Sequence, residues 1–170
     1  MYERKLLFGT TNKGRIKIWS ERLADIPLSL MTLDELGIKN MVEETGKSVE
    51  ENAKMKALTY SRISKLVTLS MDTSLEIAAL NGEPGIYIKR WDGKDLRDDD
   101  AWLEYCLKKL KDVPFEERKV KYLTAIAIAT PEEQADVFSY FVNFILAEKP
   151  RAFRIPDLPF VPLAYLPQYQ

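Results

Sequence analysis

Histidine is absent from this 170-residue chain, and every scheme that needs an imidazole goes with it. A Ser-His-Asp triad, a histidine metal site and imidazole acid–base chemistry are all excluded. Chemistry here must rest on carboxylates, lysine, arginine, hydroxyls and a hard cation held by oxygen. Cysteine is nearly absent too. Cys106 alone cannot form an intramolecular disulfide, which fits a reducing compartment, and its place in an amphipathic pattern predicts core packing. The formal net charge of −1 leaves no whole-molecule field for nucleic acid or a membrane surface, although a local basic patch still suits a small anion. No apolar run is long enough to span a membrane. The opening Met1-Tyr2-Glu3-Arg4-Lys5-Leu6-Leu7-Phe8 is too briefly apolar for a signal peptide, so a cytoplasmic location is expected.

What is present suits one sizeable core. With 46% hydrophobic and 30% charged residues, the composition is that of a globular protein, and residues 1–170 read as a single domain without repeats or linkers. Residues 4–10 read as a buried strand and 13–24 as a helix, with Ile16, Trp19 and Leu23 on one face. Residues 28–32 form a second strand and 37–47 a loop. Ser48-Val49-Glu50-Glu51 has the form of a capping box and predicts a helix running to about Ser64. Strands are expected at 67–71 and 75–80 on either side of a short polar break, followed by an Asn81-Gly82 turn. Asp98–Asp100 caps a third helix with Trp102, Leu103, Cys106, Leu107 and Leu110 at helical spacing. Residues 120–130 and 137–146 are apolar, β-rich and read as paired strands. Four of the nine prolines fall between Pro156 and Pro167, which disfavours regular helix or central strand there.

Three places carry residues suited to chemistry. Thr10-Thr11-Asn12-Lys13-Gly14-Arg15 joins a strand to a helix, where free N–H groups and the positive dipole end suit a phosphate; a plain polar cap explains the same residues. In the second helix, Ala53, Lys56, Tyr60 and Ile63 lie within about 40° of Val49, and Asn52 lies about 60° away. Lys56 and Asn52 therefore share the face that enters the core. Either Lys56 snorkels or meets a buried carboxylate, or it lines a cleft and reaches an anionic ligand. Asp72-Thr73-Ser74 is expected at a strand end near the ligand edge of a sheet, with a simple turn as the bland reading. Glu44, in Glu43-Glu44-Thr45-Gly46, joins Asp72 as a source of oxygen ligands for Mg2+.

These blocks, in this order, resemble the inosine triphosphate pyrophosphatase family, which cleaves deaminated purine nucleoside triphosphates to the monophosphate and pyrophosphate. The resemblance rests on residues 10–15, Glu43-Glu44-Thr45-Gly46, Glu51-Asn52-Ala53-Lys54-Met55-Lys56-Ala57, Asp72-Thr73, and Leu80-Asn81-Gly82-Glu83-Pro84-Gly85-Ile86-Tyr87. It implies an elongated α/β fold, a mixed twisted sheet flanked by helices with a central cleft. It also implies Mg2+ held by Glu44 and Asp72, and a nucleoside triphosphate bound by Thr10, Asn12, Arg15, Asn52, Lys56, Thr73 and Asp157. Asp72 and Lys56 take the catalytic roles, with Lys56 and Asp72 facing the cleft from opposite sides, and a homodimer is the expected assembly.

The departures are as specific as the matches. Met71 and Ser74 stand where the family has an acid and a glycine. Residues 155–162 match the base-pocket motif only at Asp157, Phe160 and the trailing Val-Pro, and the Ser-His-Arg motif does not occur. An acid in place of Met71 is expected to tighten Mg2+ binding. The alternative that these departures suggest is a catalytically degenerate relative that binds a nucleotide or a protein partner.

Overall fold

The computed structural model describes residues 4–169, so the opening Met1–Glu3 lies outside the described residues. In chain order the regular elements are β1 (Lys5–Phe8), α1 (Lys13–Arg22), β2 (Ser29–Thr32), α2 (Val49–Ser64), β3 (Val67–Ile77), β4 (Pro84–Gly85), α3 (Asp99–Lys109), β5 (Lys119–Ala129), β6 (Ala135–Leu146) and β7 (Ala164–Tyr165). The strands form a mixed sheet in the order β2-β1-β3-β5-β6-β7, with β4 paired to β3. β1 runs parallel to β2 and β3, whereas β4 is antiparallel to β3 and β7 to β6. This is the mixed α/β class expected from the sequence.

The chain divides into two compact units. The first runs to Asp72 and adds Thr124–Tyr140. Its β1 is short and apolar, and Leu7 and Phe8 are fully buried on opposite faces. Leu7 packs with Leu33 and Tyr60, and Phe8 with Leu69 and Met71, where Ile16 and Trp19 of α1 close over them. Gly9 ends the strand where no side chain fits. A Cβ there would stand 2.3 Å from the Ser70 hydroxyl oxygen and 2.8 Å from the Tyr60 ring. α2 starts as its sequence predicts, with the Ser48 hydroxyl accepting from Glu51 N at 3.2 Å. The reciprocal bond shifts one residue outward, since the Glu51 carboxylate accepts from Lys47 N at 2.7 Å. Along the predicted stripe Val49, Ala53, Lys56 and Tyr60 are buried, but Ile63, in the last turn, is 45% exposed.

The second unit takes Thr73–Leu123 and the chain from Phe141 onward. Its core gathers Leu75, Ile77, Trp91, Trp102, Cys106, Phe144 and Leu163. Trp91 meets Trp102 at a centroid distance of 5.8 Å and Tyr105 edge-on at 5.4 Å. Asp98 caps α3 by accepting from Ala101 N at 2.8 Å. Just past the other end of α3 the buried Arg118 guanidinium donates to Leu110 O and Val113 O, a cation set near the negative end of the helix. Asn81 (φ 53°) and Gly82 (φ 88°) make the expected turn, and Gly82 N donates to Ile77 O at 3.0 Å. The proline-rich end holds one two-residue strand, β7, and short 3-10 turns.

One expectation is corrected. The sequence suggests two strands flanking a polar break at Asp72-Thr73-Ser74, with Asp72 at a strand end. Instead β3 runs unbroken from Val67 to Ile77, residues 78–80 form a 3-10 turn, and Asp72 lies mid-strand. Polar residues persist in this buried strand because they find partners. The Ser70 hydroxyl donates to Gly9 O, the Ser74 hydroxyl meets Glu76, and both Asp72 oxygens accept hydrogen bonds.

Candidate active site

Alternation along β3 turns Asp72 toward α2 and turns Met71 the other way, into the apolar cluster of Phe8 and Leu69. α2 presents Asn52 and Lys56, one turn apart, to Asp72. Lys56 Nζ donates to Asp72 Oδ1 at 3.0 Å and to Glu44 Oε1 at 2.7 Å. Asn52 Nδ2 donates to the other Asp72 oxygen at 3.1 Å, while Asn52 Oδ1 accepts from Gly46 N at 2.8 Å. The Lys56 and Asp72 side chains are each 11% exposed and that of Glu44 is 35% exposed, so only the outer carboxylate meets solvent freely.

Burial of Asp72 pushes its carboxyl above the usual aspartate range. The Lys56 ammonium pulls it back in part, the Glu44 charge adds to the rise, and the bonds from Lys56 and Asn52 lower it. Such a carboxylate is a stronger proton acceptor than a fully solvated one.

The loop ahead of α1 is fastened to the same strand. Gly9 N donates to Leu69 O at 2.8 Å, and the half-buried Thr10 hydroxyl accepts from Asn12 N at 3.2 Å. Asn12 caps α1, its side-chain oxygen accepting from Arg15 N at 2.8 Å. No acid occupies the first turn of α1, so its positive end keeps its attraction for anions. Arg15 Nη1 donates to Met71 O at 3.3 Å, on the residue adjacent to Asp72.

Thr10, Asn12, Arg15, Glu44, Asn52, Lys56 and Asp72 thus all belong to the first unit, while Thr73 and Asp157 fall in the second. Thr73 is 6% exposed. Asp157 sits at φ 62°, its carboxylate 3.0 Å from Lys89 Nζ and its N–H donating to Asp99 Oδ2 at 3.0 Å. Sequence reasoning did not single out Lys89 or the function of Gly46. A Cβ on Gly46 would stand 2.6 Å from Asn52 Oδ1, so glycine is what lets that amide reach the loop. A glycine two residues before a helix cap was the available signal, and Lys89 offered none.

Among the described residues, no three His, Cys, Asp or Glu side chains gather into a ready metal cluster. Glu44 and Asp72 nonetheless suit a hard cation. Both reach the same Lys56 nitrogen, so their facing oxygens are no farther apart than those two hydrogen bonds laid end to end. Mg2+ commonly takes one or two carboxylates and completes its shell with water and phosphate.

A strand-borne acid and a helix-borne lysine, set in a mixed sheet beside an anion-favouring helix start, define an α/β protein with a buried charged site. The chain belongs to the Ham1 family, whose sequence profile matches residues 6–153. It is 34% identical over 129 residues to the dITP/XTP pyrophosphatase of Bacillus cereus, an alignment covering 76% of this chain and 62% of that relative. Against the dITP/XTP pyrophosphatase of Bacillus subtilis it is 32% identical over 148 residues, 87% of this chain and 74% of the relative. The solved structure of the Staphylococcus aureus Ham1 protein superposes with a TM-score of 0.76 at 28% identity, over 97% of this chain and 82% of that one. The chain therefore spans a little under two thirds of the first of these relatives. No helix among the described residues is long and apolar enough to cross a membrane.

Proposed function

We propose that this protein hydrolyses deaminated purine nucleoside triphosphates to the monophosphate and pyrophosphate, with Mg2+ as cofactor. The observation that carries this reading is the hydrogen-bonded Glu44–Lys56–Asp72–Asn52 cluster in a member of the Ham1 family whose relatives are named dITP/XTP pyrophosphatases. Lys56, Arg15 and the start of α1 bind the phosphates, and their positive charge offsets the negative charge that grows on the leaving pyrophosphate. Water attacks the α-phosphorus and the bond from it to the bridging oxygen breaks, which releases pyrophosphate. Asp72 orients that water and takes its proton, a function suited to its raised pKa. Glu44 and Asp72 would hold Mg2+, which when bound supplies charge neutralisation on the phosphate oxygens. Thr10 and Asn12 complete the substrate contacts in this reading. A homodimer in the cytoplasm completes the proposal.

Pyrophosphate release measured across inosine, xanthosine, adenosine and guanosine triphosphates, with and without Mg2+, tests the proposal. Release from the deaminated nucleotides that stops in Asp72→Asn supports it, and no release from any nucleotide refutes it. A second reading, a relative that binds nucleotide without cleaving it, is favoured by residues 155–162, which match the family's base-pocket motif only at Asp157, Phe160 and the trailing Val-Pro. Nucleotide bound but never cleaved would establish that reading.

A further inference from the structure

Asn52 is 3% exposed, and its carboxamide is spent inward at both ends. The oxygen takes the Gly46 N–H at 2.8 Å, and the nitrogen gives a hydrogen to Asp72 at 3.1 Å. Gly46 is two residues along the chain from Glu44, and Asp72 is the facing acid. One side chain thus ties the loop bearing the outer carboxylate to the strand bearing the inner one. Its own footing is firm, since it sits in the first turn of α2 behind the Ser48 cap, and the Lys47 N–H is held by Glu51. The loop leaves no room for a substitute at Gly46, where a Cβ would also come 2.8 Å from Glu51 Cβ.

We propose that Asn52 is a positioning residue that fixes the spacing of Glu44 and Asp72 through the Gly46 amide, without itself touching substrate. This rests on the pyrophosphatase reading for what the two acids do, but the brace itself is a property of the folded chain. Lys56 bonds to both carboxylates, yet one ammonium on a flexible stem does not fix their separation. The planar amide, bonded to backbone on one side and to Asp72 on the other, does.

The test uses the full chain as Asn52→Ala, Gly46→Ala and the double variant. Three readouts are taken: amide hydrogen exchange at Gly46, Mn2+ affinity of the nucleotide-free protein by electron paramagnetic resonance, and the split between kcat and KM. Loss of the brace should speed exchange at Gly46 in Asn52→Ala. It should weaken Mn2+ binding by about 10–100-fold, the usual effect of removing a residue that orients metal ligands. A similar fall in kcat with KM little changed is expected, and the double variant should be no worse than the poorer single. Unchanged exchange at Gly46 in Asn52→Ala overturns the proposal, as do losses that multiply in the double variant. If Asn52→Ala does not fold, Gly46→Ala, whose added carbon pushes on both the Asn52 amide and Glu51, decides by Mn2+ affinity and kcat. A native protein without hydrolytic activity would refute the pyrophosphatase reading, while the exchange at Gly46 would still decide the brace.

Discussion

Replacing Lys56 with methionine keeps most of the side-chain volume and removes the ammonium 3.0 Å from Asp72. Breaking a buried pair by deleting one partner costs about 3–5 kcal/mol. The low end applies here, because Asn52 keeps its bond to Asp72 and Glu44 is already one-third exposed to water. About 3 kcal/mol corresponds to a fall of about 6–12 °C in the unfolding midpoint for a chain of this length. The penalty depends on pH, and its sign follows from Asp72. Its folded pKa is raised, so the stability this group contributes is complete below the ordinary aspartate value and is lost as pH climbs through the folded one. Lys56 is the main influence lowering that pKa, so Lys56→Met raises it further, and each added unit is worth about 1.4 kcal/mol. The gap between native and variant midpoints should therefore be large at pH 7.5 and less than half as large at pH 4.5, where the stranded carboxyl takes up a proton. Calorimetric scans of both proteins at the two pH values measure it. An equal gap at both would refute the assignment of Asp72 as the stranded partner, and no gap at either would refute the buried pair itself.

In the same site, Lys56→Ala should weaken triphosphate binding by about 1.5–3 kcal/mol, the range for a hydrogen bond to a charged group, and titration calorimetry on the folded variant measures this. Met71→Glu now carries a different expectation from the one its sequence position suggests. A carboxylate there enters the Phe8–Leu69 cluster on the far side of β3 from Lys56, so it should lower the unfolding midpoint without lowering the Mg2+ requirement. Cys106, fully buried with its thiol pushed up to about 12, should resist alkylation in the native protein and react only on unfolding, as mass spectrometry after timed labelling would show.

The helices could be read from the chain because their signals are local. Ser48 and Asp98 announce α2 and α3 by capping chemistry that works within one turn. The apolar stripe of α2 likewise put Lys56 on the buried face before any partner was known. Asp72 was singled out but given the wrong place, since its partners lie sixteen and twenty residues back along the chain. Without them an acid inside a strand looks unaffordable, and a turn is the natural guess. Met71 was misjudged for a related reason. Neighbours in sequence point to opposite faces of a strand, so adjacency to Asp72 said nothing about sharing its site. The Gly46–Asn52 bond left only a glycine ahead of a helix cap as its signature, because it depends on how closely a loop approaches a helix.

Asn81 and Gly82 set the chemical ageing of the molecule. An exposed Asn-Gly step is the sequence most prone to deamidation, because the glycine nitrogen can attack the asparagine side chain and close a succinimide. In this turn that nitrogen's hydrogen is engaged by Ile77 O at 3.0 Å. Cyclisation must wait until the turn opens, so the rate at which aspartate and isoaspartate accumulate at position 81 in stored protein reports how often the end of β3 lets go.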